Sequence, residues 1–460
     1  MGRLARGKGI VGLSAAAILA GFGFTLAATA QILQDAASVD ATSPQRSRYE
    51  ISAGERWSDN FGLSPTPHSG SVGTLGLLLD GARHTGFLQF DAKSDLDVFH
   101  YLSGNFHDEV VGRFLGTASY QFIPKTIEWV IDERYGQVAR DYLKAPSTAN
   151  RQYLNVLSTG PDLQARLGNA LVARLSARYG RDDYQTSPYS ATHLSGQAAL
   201  ERRPSDATLI RAGINHERVD YLETSARPGN FSIDRFFGGY SINGKLTRVD
   251  LEGGYSRSSG GLAQLHGFTG HAGVERRLSA SGTAHIVVSR TLNTVTLGAR
   301  ATDLLPSAGG FTPANVLSGS LFFSVSAEAG YAWQRPRTTF DVNAVILKET
   351  DHQDIRPDRD LLSAGAKLSH RLTPLLEVTL FIAASQDTLH YRGGGGLPFG
   401  DFKSTDSGFG ATLRQRFSRV LVGSVDLTHT QRASFVGPFR ENAVWLRAAY
   451  APQMAILATK

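Results

Sequence analysis

The chain reads as all-β, a transmembrane antiparallel up-and-down β-barrel of about 16–20 strands. Three observations predict it. Stretches of apolar and polar residues in strict alternation return along most of the chain. Short polar turns alternate with long stretches rich in Gly, Pro, Ser and Asp. No segment beyond residue 30 has 18 consecutive apolar residues, so helical spans are not expected.

The first 30 residues carry Arg3, Arg6 and Lys8, then IVGLSAAAILAGFGFTLA, then Ala28-Thr29-Ala30 before Gln31. That is the layout of a secretory signal peptide, with cleavage expected near Ala30. The apolar run approaches the roughly 20 residues of a membrane span, so an uncleaved anchor is the rival reading. No Cys follows the run, which excludes a lipid anchor on an N-terminal Cys. The whole chain has none, which excludes disulfides and thiolate metal sites. The expected organisation is a signal peptide over 1–30, a short segment over 31–48, a barrel over 49–450 and a tail over 451–460. Removing three leader cations from a net charge of +6 leaves +3. Both signs are spread along the chain without a concentrated basic face, so nucleic acid is not an expected partner.

The alternation is clear in GRFLGTASYQF (112–122), where Phe114, Gly116, Ala118, Tyr120 and Phe122 oppose Arg113, Thr117, Ser119 and Gln121. LVARLSARY (171–179) sets Leu171, Ala173, Leu175, Ala177 and Tyr179 against Arg174, Ser176 and Arg178. TRVDLEGGYS (247–256) sets Val249, Leu251, Gly253 and Tyr255 against Arg248, Asp250 and Glu252. The pattern returns at 266–275, 322–333, 339–346, 376–383, 421–429 and 442–450. A soluble sandwich also alternates, with its polar faces in bulk water. Three features favour a membrane barrel, with apolar residues toward lipid and polar ones toward a wet lumen. The strands are about 9 to 11 residues long, as a tilted crossing requires. Aromatics such as Tyr120, Tyr179, Tyr255, Trp333 and Tyr450 end the apolar faces, where an interfacial girdle sits. The apolar faces are filled with Ala, Gly and Val more than with the large aliphatics of a dry core.

A short motif of Arg, then Leu, Phe or Pro, then Ser or Thr recurs in ERRPSD, ERRLSAS, SHRLTP and RQRFSR. In a barrel these are the short turns, where a hydroxyl bonds nearby backbone and Arg sits at the aqueous rim. YQFIPK (120–125), WQRPRT (333–338), NGK (243–245), DGARH (80–84) and a turn near 163–169 complete a set of nine, hence some 20 strands. The long loops expected are 58–71, 180–190, 222–232, 304–315, 348–360 and 391–408. The segment 127–162 is less regular and reads in part as an insert.

Catalytic signals are weak. GGGG at 393–396 lacks the context of a phosphate loop and reads as a loop tip. Asp351, His352, Asp354, Asp358 and Asp360, and likewise Asp91, Asp95 and Asp97, read as solvated charge more readily than as cation ligands. No G-x-S-x-G is present. No catalytic residue, metal ligand or cofactor is expected, and the chain does not read as an enzyme. The informative set is the charge expected to line the lumen: Arg113, Arg174, Arg178, Arg248, Asp250, Glu252, Glu328, Asp341, Lys367 and Asp426. These residues either neutralise one another or shape a selective path.

YEISAGERWSDNFGLSP (49–65), with Trp57, Ser58, Asp59 and Asn60 before the first loop, resembles the first hairpin of the β-barrel porins associated with exopolysaccharide loci. The repeated turns, as in QRFSR at 415–419, are similar to that family across most of the chain. Many outer-membrane proteins end on an aromatic residue, whereas this chain continues ten residues past Tyr450. The resemblance implies an outer-membrane barrel serving polysaccharide synthesis or export. A general or solute-selective porin is the alternative, with an enzyme or adhesion barrel behind it. The partners expected are outer-membrane lipid and lipopolysaccharide, the barrel-insertion machinery and a polysaccharide.

Overall fold

The computed structural model describes residues 46–452 except 103–105, 141–143, 146, 169, 224–228, 262–263, 294–320, 352–356, 392–399 and 435–436. Twenty antiparallel strands follow one another: β1 Arg46–Ser58, β2 Gly70–His84, β3 Leu88–Tyr101, β4 Glu109–Ile123, β5 Ile127–Ala139, β6 Arg151–Leu167, β7 Leu171–Tyr184, β8 Ala191–Ser205, β9 Thr208–Tyr221 and β10 Phe231–Asn243. The second half runs β11 Thr247–Gly260, β12 His266–Arg277, β13 Gly282–Asn293, β14 Phe322–Gln334, β15 Thr338–Asp351, β16 Asp358–Arg371, β17 Leu376–Tyr391, β18 Gly400–Arg416, β19 Leu421–Ser434 and β20 Phe439–Tyr450. Each strand pairs with the next, and β1 closes on β20 from Ile51↔Tyr450 to Ser58↔Ala443. Closure leaves no free edge. Twenty strands about 4.8 Å apart and tilted about 40° enclose a backbone tube roughly 40 Å across.

Successive side chains alternate between lumen and exterior, and exposure separates the two rows. Ile51, Leu75, Tyr120, Leu175, Ile214, Leu251, Ile346, Ile382 and Leu446 all lie outward and stay open to their surroundings. An apolar belt round a closed barrel needs lipid to cover it, so the chain is an outer-membrane barrel.

Nine turns of two to four residues fall at one end with the two terminal strand ends, and the other ten connections, nine of them longer than four residues, fall at the other. The recurrent hydroxyl has a common task. Ser418 Oγ accepts from the Leu421 amide at 3.0 Å, Thr373 Oγ1 from Leu376 at 3.0 Å, and Ser279 Oγ from Ser281 at 3.2 Å. The Asn-Gly turn closes with Gly244 N–H donating to the Thr247 carbonyl at 2.9 Å.

Several boundaries differ from expectation. The first strand begins at Arg46, three residues early. DGARH lies inside β2; the turn is Thr85–Phe87, where Thr85 Oγ1 accepts from Leu88 N at 3.0 Å. The segment 127–162 is mostly strand, β5 and most of β6, with only the connection 140–150 outside the sheet. Pro161 disguises it, breaking the alternation at a site where the β6–β7 pairing skips from Thr159↔Tyr179 to Asp162↔Ser176. Strands also continue into stretches that read as loops, β7 to Tyr184, β15 to Asp351 and β18 from Gly400. The expected signal peptide, the loop 304–315, the GGGG tip and most of the tail lie outside the described residues.

Candidate functional site

The registers put all ten charged residues expected in the lumen on the inward row. Arg113 stands opposite Asp95, Arg248 opposite Glu275, and Asp341 opposite Lys367. Arg174 pairs with Glu201 at 2.8 Å, Arg178 with Asp162 at 2.7 Å, Asp426 with Arg447 at 2.8 Å, and Glu328 approaches His285 at 3.3 Å. Asp250 and Glu252 belong to a larger group. Arg211 reaches both, at 3.5 and 2.9 Å, while Arg235 pairs with Glu252 and His271 with Asp250.

Height within the lumen decides how these charges meet water. Toward the short turns Lys93, Asp95, Arg248, Glu328, Asp341, Asn343 and Lys367 are exposed although they face inward, so this part of the tube holds water. Toward the long loops the inward side chains are packed. Arg359 is 1 % exposed, with Nε and Nη2 donating to Asp387 at 2.8–3.0 Å and Nη1 lying 4.0 Å from the Glu349 carboxylate. Arg432 holds Asp406 through two bonds of 2.6 and 2.9 Å, Arg56 holds Glu441 at 2.8 Å, and His193 lies between Asp182 and Glu217.

Apolar clusters complete this packed end. One joins Ala191, Val219, Phe231 and Ile233 to Leu265, Leu292, Leu321 and Phe323. A second holds Val138, Leu154, Val156 and Tyr184, with Tyr189 of the following loop against it. Burial pushes the Tyr189 phenol above its ordinary range.

Sequence reading missed Arg211, Arg235 and His271, and the whole packed end. Arg211 sits between Ile210 and Ala212, and Arg235 directly before the outward Phe236, so continued alternation was the available signal. Asp182, Glu349, Asp387 and Asp406 carry no such signal, because their strands are polar on both faces beyond the belt. Asp91, Asp95 and Asp97, set aside as solvated charge, lie in one inward row of β3 with Lys93 among them. Of the acidic loop set, Asp358 accepts from Asp351 N at 2.7 Å and Asp360 meets His390 at 3.2 Å; His352 and Asp354 lie outside the described residues. Among the described residues no group of three or more His, Cys, Asp or Glu is arranged to hold a metal ion.

No family model matches the chain, and no curated protein does. Among solved structures it is similar to the siderophore receptor PirA from Acinetobacter baumannii, at 10% identity over 88% of this chain and 80% of that one, with a TM-score of 0.46. It is similar also to the FrpB iron transporter from Neisseria meningitidis, at 9% identity over 89% and 81%, TM-score 0.44. For the copper transporter OprC the values are 10%, 88%, 80% and 0.43. These values describe a general likeness among barrels, and no substrate or family follows from them.

Proposed function

We propose that the protein is an outer-membrane channel for hydrophilic solutes that favours cations. The observation that carries this reading is the contrast on the inward face. Asp91 and Asp95 of β3 face the wet lumen outside any salt bridge among the described residues, with Asp97 half-buried above them and Lys93 between, whereas Arg174, Arg178, Arg211, Arg235 and Arg447 each hold a carboxylate and Arg248 and Lys367 stay open on other strands. Paired charges cancel at a distance, and on β3 three carboxylates stand against one lysine, so that stretch of wall is negative to a passing ion.

Export of a polysaccharide was the expectation drawn from the first-hairpin resemblance, and it asks for open aromatic faces along the path. The inward aromatics supply few. Phe99 and Tyr101 are buried, and Trp445 has Arg447 over its ring at 4.1 Å and donates Nε1–H to Thr74 at 3.1 Å. A wet, charged wall that narrows toward a packed end supports a solute channel better.

The test is a planar bilayer with purified protein under a salt gradient. Steady conductance with a reversal potential on the cation side is expected, and Asp91→Asn with Asp95→Asn and Asp97→Asn should move it toward zero. A folded barrel that never conducts removes the channel reading.

A further inference from the structure

The inward wall of β4–β8, toward the short turns, carries a recess that an open water-filled tube does not require. Gln121, Glu128, Asp162, Ser176 and Gln197 stand side by side in one row across these five strands. With Lys125, Gln164, Arg174 and Arg178 they line a cavity of about 400 Å³, within the range of small-ligand sites. Two irregularities in the ladder shape it. Pro161 has no N–H for the ladder, and Arg178 lies across the gap, its Nη1 donating to the Pro161 and Ala177 carbonyls at 3.0 Å each. The β4–β5 pairing shifts register between Gln121 and Ile123, beside the turn.

Most of the charges in the recess are already matched. Arg178 Nη2 lies 2.7 Å from Asp162, and Arg174 Nε lies 2.8 Å from Glu201. Two are left over, and they have opposite signs. Glu128 and Lys125 stand outside any salt bridge or side-chain hydrogen bond among the described residues. Lys125 also holds an unusual backbone. The Thr126 N–H closes the turn on the Ile123 carbonyl at 3.0 Å, and Lys125 occupies its third corner with a φ of 61°, the left-handed region that Gly usually fills. Among the described residues only Leu63 shares such a φ without being Gly, and strain of this kind points to a task for the side chain that bears it. Gln121 Oε1 accepts from the Lys125 amide at 3.4 Å, which leaves its Nε2 for the recess. The side chains of Gln164, Ser176 and Gln197 make no hydrogen bond among the described residues.

We infer that this recess binds a short peptide with free termini, its ammonium on Glu128, its carboxylate on Lys125 and its amide against Gln121, Gln164 and Gln197. An inorganic ion would meet one of the two open charges and be repelled by the other, whereas a zwitterion meets both. Each glutamine amide carries a donor and an acceptor, as a peptide bond does, so the row matches the middle of such a ligand as well as its ends. The cavity volume suits a dipeptide. The inference names a solute class for the channel and rests on that reading for the solute's route.

Purified barrel in neutral detergent is titrated in a calorimeter with alanyl-glutamine, with its N-acetyl form, with its C-terminal amide, and with sodium chloride. Only the unmodified dipeptide should bind. Glu128→Gln and Lys125→Gly should each weaken it about fivefold, the ratio that one ion pair in reach of water carries. Lys125→Gly should unfold at no lower temperature than the wild type, because Gly adopts a φ of 61° without strain. A lysine that served only the turn would not separate binding from stability in this way. Lys245→Gln, on the β10–β11 turn away from the recess, should bind like the wild type. Equal binding of the acetylated or amidated form, unchanged affinity in Glu128→Gln, or no binding of any probe overturns the site. Titration in detergent needs no conductance. A barrel that binds the dipeptide and never conducts keeps the site and loses the channel reading, and one that conducts without binding loses the site alone.

Discussion

The two ends of the lumen use the same residue types on the same face and differ in what surrounds them. At the long-loop end Arg359 is sealed with Asp387 and Glu349, and Arg432 with Asp406. At the turn end Arg174 holds Glu201 with nearly half of its side chain in water. A buried pair has lost its hydration, so removing one partner strands the other at large cost. A wet pair exchanges readily with solvent and contributes little to stability. The packed end is therefore a structural collar, and the wet end is the surface a solute meets.

The largest effect is expected at the collar. Arg359→Leu leaves Asp387 and Glu349 buried without their cation, a loss of about 3–5 kcal/mol. Urea unfolding followed by the heat-modifiable gel shift measures it. A loss under about 1 kcal/mol, the range of an exposed pair, would mean that the long-loop end is as wet as the turn end.

The outer face sharpens the same contrast from the other side. Leu251→Arg places a charge in the lipid belt and should cost about 2–4 kcal/mol near the midplane. The measurement is the folded fraction after assembly into vesicles. Equal behaviour of Leu251→Arg and Arg174→Leu would reverse the assignment of inside and outside, because one substitution puts charge into lipid and the other takes it out of water.

These regions also differ in how far they could be read from sequence. The belt was legible because Leu175, Tyr179, Leu251 and Tyr255 fall at every second position with polar residues between them. The turns were legible because Ser418 and Thr373 cap their own backbones locally. The collar was not. Asp387 lies 28 residues from Arg359, on the next strand, and only the register Leu361↔Asp387 brings them together. A polar residue beyond the belt looks the same in sequence whether it lies on a strand or in a loop, so Asp182 and Glu349 passed for loop charge. The row of small outward residues on β9–β12 depends on long-range register in the same way. Ala212, Gly238, Gly253 and Gly270 share no local pattern and become neighbours only when four strands align.

The smallest stability effect belongs to the wet end, and it carries the most information about transport. Arg174→Gln with Arg178→Gln should change unfolding by no more than about 1 kcal/mol per pair, since both pairs reach water. Their carboxylate partners, Glu201 and Asp162, then lose the cations that cancel them. The lumen becomes more negative by two charges while its shape is kept, so the reversal potential should move further to the cation side. Neutralising Asp91, Asp95 and Asp97 should move it the opposite way. Opposite signs from these two sets identify the wet wall as the surface that sorts ions. If both leave the potential where it was, ions are sorted elsewhere, and the collar becomes the place to look, with Arg56 and Glu441 at its β1–β20 seam as the first pair to change.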